Sequence, residues 1–175
     1  MTSQYSQSYE SATAALQMGE RNSSSYGRAL GFSVGSGVFL GRMEVFGSLV
    51  PELLTLVPEP NDVAAIAQAL YSVFIMLILA GRPADARTYL QRQIEIAAPY
   101  RETDLLATAW VLFSLIFAAR EIDNDLWSAR ENNHASAVQF ERAGAREFLA
   151  ITKAHLGLSH LQLGQFDGAE RVFEE

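Results

Sequence analysis

The punctuation of this chain limits its folding choices more than any other feature: Gly41, Gly81 and Gly164 each close a helical stretch, 40 and then 83 residues apart. Between them apolar residues recur every three to four positions. Alternating runs rich in Val, Ile and Thr are nearly absent beyond about residue 40, so the periodicity predicts an all-α chain. The longer interval is two units of the first, with the polar turn Arg120–Asp123 as its midpoint. A recurrence of about 20 to 50 residues marks a solenoid, because one helical hairpin cannot bury its apolar face alone and must stack on others. The expected fold is an α-α superhelix of about four helical hairpins.

The segments follow from their start and stop signals. A lone helix at 6–18 precedes Gly19, and a second stretch from Ser24 stops at Gly41. A third, Met43 to Val57, contains Pro51 and runs into the Pro58–Pro60 cluster. Asn61 or Asp62 is placed to cap the next helix by accepting hydrogen bonds from its first-turn amides. Pro83 suits a first helical turn, and Thr103 or Asp104 opens another helix. Paired up, these give hairpins at roughly 24–57, 61–98, 103–143 and 146–175, within one domain spanning 1–175.

Composition excludes several function classes. Thirteen Lys and Arg against twenty Asp and Glu leave a formal charge of −7, which repels phosphate backbones and anionic lipids, so nucleic acid and membrane surfaces are not expected partners. There is no cysteine, so disulfide frameworks, thiolate metal sites and cysteine nucleophiles are ruled out. Met1–Glu10 has neither the basic start nor the apolar run of a secretory signal, and the chain reads as cytoplasmic. One stretch competes with that reading. Val63 to Gly81 carries no charge, and about 18 to 20 such residues can cross a bilayer, so a small membrane protein with a span at 63–81 is an alternative. Leu105–Ala119 is also uncharged but short. Neither has the Lys and Arg cluster on one flank that sets topology, which favours helices sandwiched between protein layers.

The last unit carries a family resemblance. Leu156-Gly157, His160, Gly164, Ala169 and Phe173 resemble the Leu-Gly, aromatic, Gly, Ala and Phe positions of a tetratricopeptide repeat. In such hairpins the small residues Gly157 and Ala169 let the helices approach while Leu156 and Phe173 fill the seam. Gly81 and Ala86 match in the second unit, where Leu90 replaces Phe and Phe74 stands in the Gly157 position. The first unit keeps Gly41 but has Phe46 at the small position. The spacing of 40 exceeds the family's usual length of about 34. The chain looks like the long, degenerate variety of these repeats found in large bacterial signalling proteins, such as multidomain ATPases, Ser/Thr kinases and maltose-regulator-type transcription factors. The resemblance implies a protein-interaction or regulatory scaffold module with no catalytic activity of its own. Neither end of the chain resembles a polar capping repeat, so a fragment of a longer protein is expected, with apolar ends that offer a surface for self-association.

The resemblance also implies a facing. The first helix of each pair lines the concave side, which directs Arg28, Gln68, Tyr71, Ile75, Thr108, Val111, Leu115, Ala154, Leu158 and Gln162 inward. That lining is mostly apolar, with Arg28 its one charge. It suits an apolar or helical segment of a partner protein, or of other domains of the same chain.

One enzyme signature competes. Gly31-Phe32-Ser33-Val34-Gly35 fits the G-x-S-x-G nucleophile elbow, which makes a serine hydrolase using Ser33 the other alternative. Asp85 or Asp104 and one of His134, His155 and His160 follow in the required order. That elbow needs a strand before the serine, and the periodicity offers none. Gly27, Gly31 and Gly35 are spaced by four, so on a helix they form one smooth face for close packing. No cofactor or metal is expected. The third glycine of a dinucleotide fingerprint falls one residue late, at Gly41, and there is no phosphate loop. After Asp123 and Asp125 the calcium-loop pattern fails at Trp127, Ser128 and His134. His155 and His160 lie five apart and so diverge around a helix.

Overall fold

The computed structural model describes residues 2–20, 23–42 and 44–174, with the side chains of residues 2–4 and 24 outside that description. Met43, the expected start of the third segment, and the terminal Glu175 therefore lie outside it. The described residues form α1 (Thr2–Met18), α2 (Ser24–Phe39), α3 (Glu44–Ser48), α4 (Val50–Leu53), α5 (Val63–Leu79), α6 (Pro83–Ala97), α7 (Leu105–Phe117), α8 (Leu126–Arg142), α9 (Arg146–Gln162) and α10 (Phe166–Glu174), with no strand among them. The all-α expectation holds. The chain divides into two compact units, residues 1–100 and 101–175.

In the first unit α1 and α2 form a hairpin, with Tyr5 meeting Phe39 at 5.3 Å and Gly19 lying against Tyr26. The smooth face of α2 then lies along α5. A Cβ on Gly31 would sit 2.8 Å from the Ala65 backbone, and one on Gly27 would sit 2.6 Å from the Asp62 carboxylate. The i,i+4 glycines thus let the two helices approach to backbone contact. On its other side α5 packs on α6, where Gln93, wholly buried, donates from Nε2 to the Ala67 carbonyl at 2.7 Å. Two covered flanks explain why α5 is apolar nearly all round.

The expected continuous helix from Met43 to Val57 is broken. It is two short pieces, α3 and α4, with Pro51 in the first turn of the second. The Pro51 ring has no N–H to give the carbonyl four residues earlier and clashes with it, so the helix ends and restarts. The expected cap at α5 also differs. Asp62 occupies the N-cap position, but its carboxylate makes no capping bond and instead faces Arg28 at 3.7 Å. Arg92 holds the connecting loop by donating to the Leu56 carbonyl at 2.6 Å.

In the second unit α7, α8, α9 and α10 pack in chain order, each on the next. An aromatic cluster fills the first two layers: Trp110 lies edge-on to Phe140 at 5.3 Å and to Phe148 at 4.6 Å. Such pairs contribute about 0.5–1.5 kcal/mol each beyond their area burial. In the last hairpin the Phe173 ring lies where a side chain on Gly157 would go, and Ala169 is buried beside that seam.

One device recurs at the helix ends. Gly41, Gly81, Gly144 and Gly164 all have φ between 67° and 72°. At each the glycine N–H bonds three residues back, and the next N–H bonds five back, as Arg42 does to Gly37 and Arg82 to Leu77. This is a Schellman closure, and its left-handed residue is most cheaply a glycine. The turn expected at Arg120–Asp123 is built differently. Here α7 runs on through a π turn, Ala118–Ile122, and the left-handed position falls to Asn124, with φ 53°. Asn tolerates that region better than other non-glycine residues.

The π turn changes which apolar run reaches membrane length. Val63–Leu79 stops at 17 residues, whereas Leu105–Ile122 reaches 18 and is long and apolar enough to cross a bilayer, with half of it buried inside the protein.

Candidate functional site

The residues assigned to a concave face divide between the two units and are described unit by unit. In the first, Arg28 is exposed but engaged. It pairs with the buried Asp62 carboxylate and donates from Nη2 to the Asn61 carbonyl at 3.2 Å, so its charge pins the turn leading into α5. Gln68 and Ile75 are half-buried on α5, and Tyr71 is buried. In the second unit Thr108, Val111 and Leu115 share one half-buried face of α7. Thr108 spends its hydroxyl on the Arg101 carbonyl, at 3.0 Å. Ala154, Leu158 and Gln162 on α9 are all exposed.

The α9 face is the most open of these. Ile151 and Leu161 extend it, and Ile151, Leu158 and Leu161 are 43%, 46% and 41% exposed. Their spacing of seven and three puts them on one side of the helix. The rest of the circumference carries Leu156, Gly157 and Ser159 into the contacts with α8 and α10. The facing implied by the resemblance pointed to Ala154, Leu158 and Gln162; Ile151 and Leu161 were missed, although they flank the same stripe.

Beneath that stripe lies a polar seam. Asn133, wholly buried, donates from Nδ2 to Ser159 Oγ at 2.9 Å, and Ser159 in turn donates to the His155 carbonyl. Ser136 donates to the Ala109 carbonyl at 3.1 Å. His155 sits edge-on to Phe113 and Phe117, at 5.7 and 5.1 Å, with its Nδ1 buried and unbonded. Burial, aided by the nearby Arg120 charge, holds this imidazole below its ordinary pKa of 6.5. His160 is occupied differently, with Nδ1 2.8 Å from Gln165 Oε1. Among the described residues no three His, Asp or Glu side chains converge as metal ligands do.

The elbow motif has a different setting from the one its chemistry requires. Ser33 stands in the middle of the uninterrupted helix α2, wholly buried, and among the described residues its Oγ has no hydrogen-bond partner. A nucleophile elbow exposes its serine at a sharp strand-to-helix turn. Of the carboxylates that follow, Asp104 accepts from the Ala107 amide at 2.9 Å as a helix cap, and Asp85 is bonded to Arg82.

Comparison with protein-family models, with curated proteins and with solved structures returned no match.

Proposed function

We propose that the chain is a tetratricopeptide-like helical-repeat module, its hairpins stacked into a superhelix. In this reading it acts in the cytoplasm as a protein-interaction or regulatory scaffold of a bacterial signalling protein, without chemistry of its own. The partner is a protein segment, apolar or helical, or another part of the same polypeptide. The observation that carries the binding role is the open apolar stripe Ile151, Leu158 and Leu161 on α9. An amphipathic helix laid across such a stripe buries its own i, i+3, i+4 and i+7 positions. The architecture is supported by left-handed turn residues at 41, 81, 124 and 164, spaced 40, 43 and 40 apart, with a further one at Gly144 between the last two.

Selection of helical peptides against the wild-type chain, with Leu158→Glu as counter-target, tests the reading. Leu158 is exposed, so the variant keeps its fold. Enriched peptides should carry an apolar helical stripe and bind the variant at least about tenfold more weakly, a loss in the range expected for an interface hot spot. Failure to enrich any peptide with that dependence removes the proposal. A membrane-inserted reading draws on the length of Leu105–Ile122. It requires the purified chain to partition into detergent or vesicles.

A further inference from the structure

The break at Pro51 leaves a cleft in the first unit. Its volume is about 350 Å³, and it lies among α3, α4, α5 and α6. The floor is apolar, formed by Val50 and Leu54 on one side and by Val73 and Leu77, one turn apart on α5, on the other. Small-molecule sites occupy about 300–1,000 Å³ and combine such a floor with a few convergent polar groups.

Here the polar groups come from the start of α6. Arg82, Asp85 and Tyr89 stand on the rim. Arg82 donates from Nε to Asp85 Oδ2 at 2.7 Å, while its two terminal nitrogens make no hydrogen bond among the described residues. The Tyr89 hydroxyl makes none either, and burial, then the Asp85 charge, pushes its pKa above the ordinary 10.0, so it remains a donor at neutral pH. The rim's one carboxylate is already bonded to Arg82. Donors are therefore in surplus. The first turn of α6 has no side-chain cap, and its free amides and dipole add positive potential at the same end.

We propose that this cleft binds a small amphipathic carboxylate, its apolar body on Val50, Leu54, Val73 and Leu77 and its head on the Arg82 guanidinium and the Tyr89 hydroxyl. The site is independent of the α9 stripe and of the scaffold reading. The matched probes are octanoate, octan-1-ol and octylammonium. Each is titrated below its micelle concentration into the full chain and followed by methyl chemical shifts and calorimetry. Octanoate should saturate, with shifts concentrated on Val50, Leu54, Val73 and Leu77. Arg82→Gln should weaken octanoate about tenfold or more, the loss of a charge-assisted contact. Asp85→Asn should tighten it several-fold by releasing the guanidinium. Octan-1-ol should ignore both changes. Arg82 and Asp85 side chains are 61% and 52% exposed, so both variants are expected to fold, and circular dichroism checks this. Absence of saturable octanoate binding, shifts centred elsewhere, or octylammonium binding more tightly and being lost in Asp85→Asn would each overturn the proposal.

Discussion

His155 shows how one side chain couples packing to solution conditions. Unfolded, its imidazole titrates near 6.5; folded, burial and Arg120 hold it lower. Between those two values the unfolded chain carries the extra proton, so acid favours unfolding. Its contribution is complete above about pH 6.5, erodes as pH falls below that value, and is fully lost once pH passes the depressed folded value. Urea melts at pH 7.5 and pH 5 should show a smaller stability drop in His155→Leu than in the wild type. An equal drop in both would remove His155 from the acid response. Glycines give a second residue-level contrast. Gly31→Ala drives a methyl into the Ala65 backbone, and overpacking of that kind costs about 1–3 kcal/mol. Gly47→Ala meets nothing within 4 Å among the described residues, so it should stabilise by about 0.5–1 kcal/mol through reduced backbone freedom alone. Thermal melts of the two variants should therefore move in opposite directions. The i,i+4 glycine face was readable from spacing; that Gly31 meets backbone, Gly27 a carboxylate and Gly47 open space was not, because those neighbours are distant in sequence.

Helix ends divide into two kinds. The glycine closures and the Asp104 cap follow from local rules, since every bond they make lies within a few residues. Asp104→Ala should cost about 1 kcal/mol, the usual worth of a side-chain cap. Asn124→Gly should stabilise by up to about 1 kcal/mol, because glycine takes a left-handed φ without a Cβ clash. Denaturant midpoints of the two variants, measured at unchanged slope, check both signs. Asp62 escaped the local rule. Its carboxylate had two suitors, the first-turn amides of α5 and the Arg28 guanidinium on α2, and the charged partner won. The same competition removed Arg28 from service as the groove's free cation. The π turn at Ala118–Ile122 was equally hidden, since it alters hydrogen-bond register without changing the apolar pattern.

At the scale of the molecule, the two compact units each own a core, and both tryptophans, Trp110 and Trp127, belong to the second. Tryptophan fluorescence therefore reports residues 101–175, whereas far-UV circular dichroism reports all helices. Under the stacked-repeat reading proposed above, stability is roughly a sum over neighbouring elements. Gly31→Ala should accordingly lower the dichroism midpoint while leaving the fluorescence midpoint in place. A matching shift in both signals would mean that the units unfold as one.

Helix content, most helix boundaries and the spacing of the closures were legible from residue order, because they depend on period, capping chemistry and φ preference, all short-range properties. The α9 stripe was half legible: Leu158 was placed on it through the resemblance, whereas Ile151, Leu161 and the exposure of all three were not. The cleft behind Pro51 was invisible in advance, because the stretch from Met43 to Val57 was read as one helix in spite of its proline. Its lining joins residues from 46 to 89, and only packing brings an apolar floor under the Arg82 guanidinium. Long-range placement is set by which surfaces exclude water together, and that is a property of the folded chain.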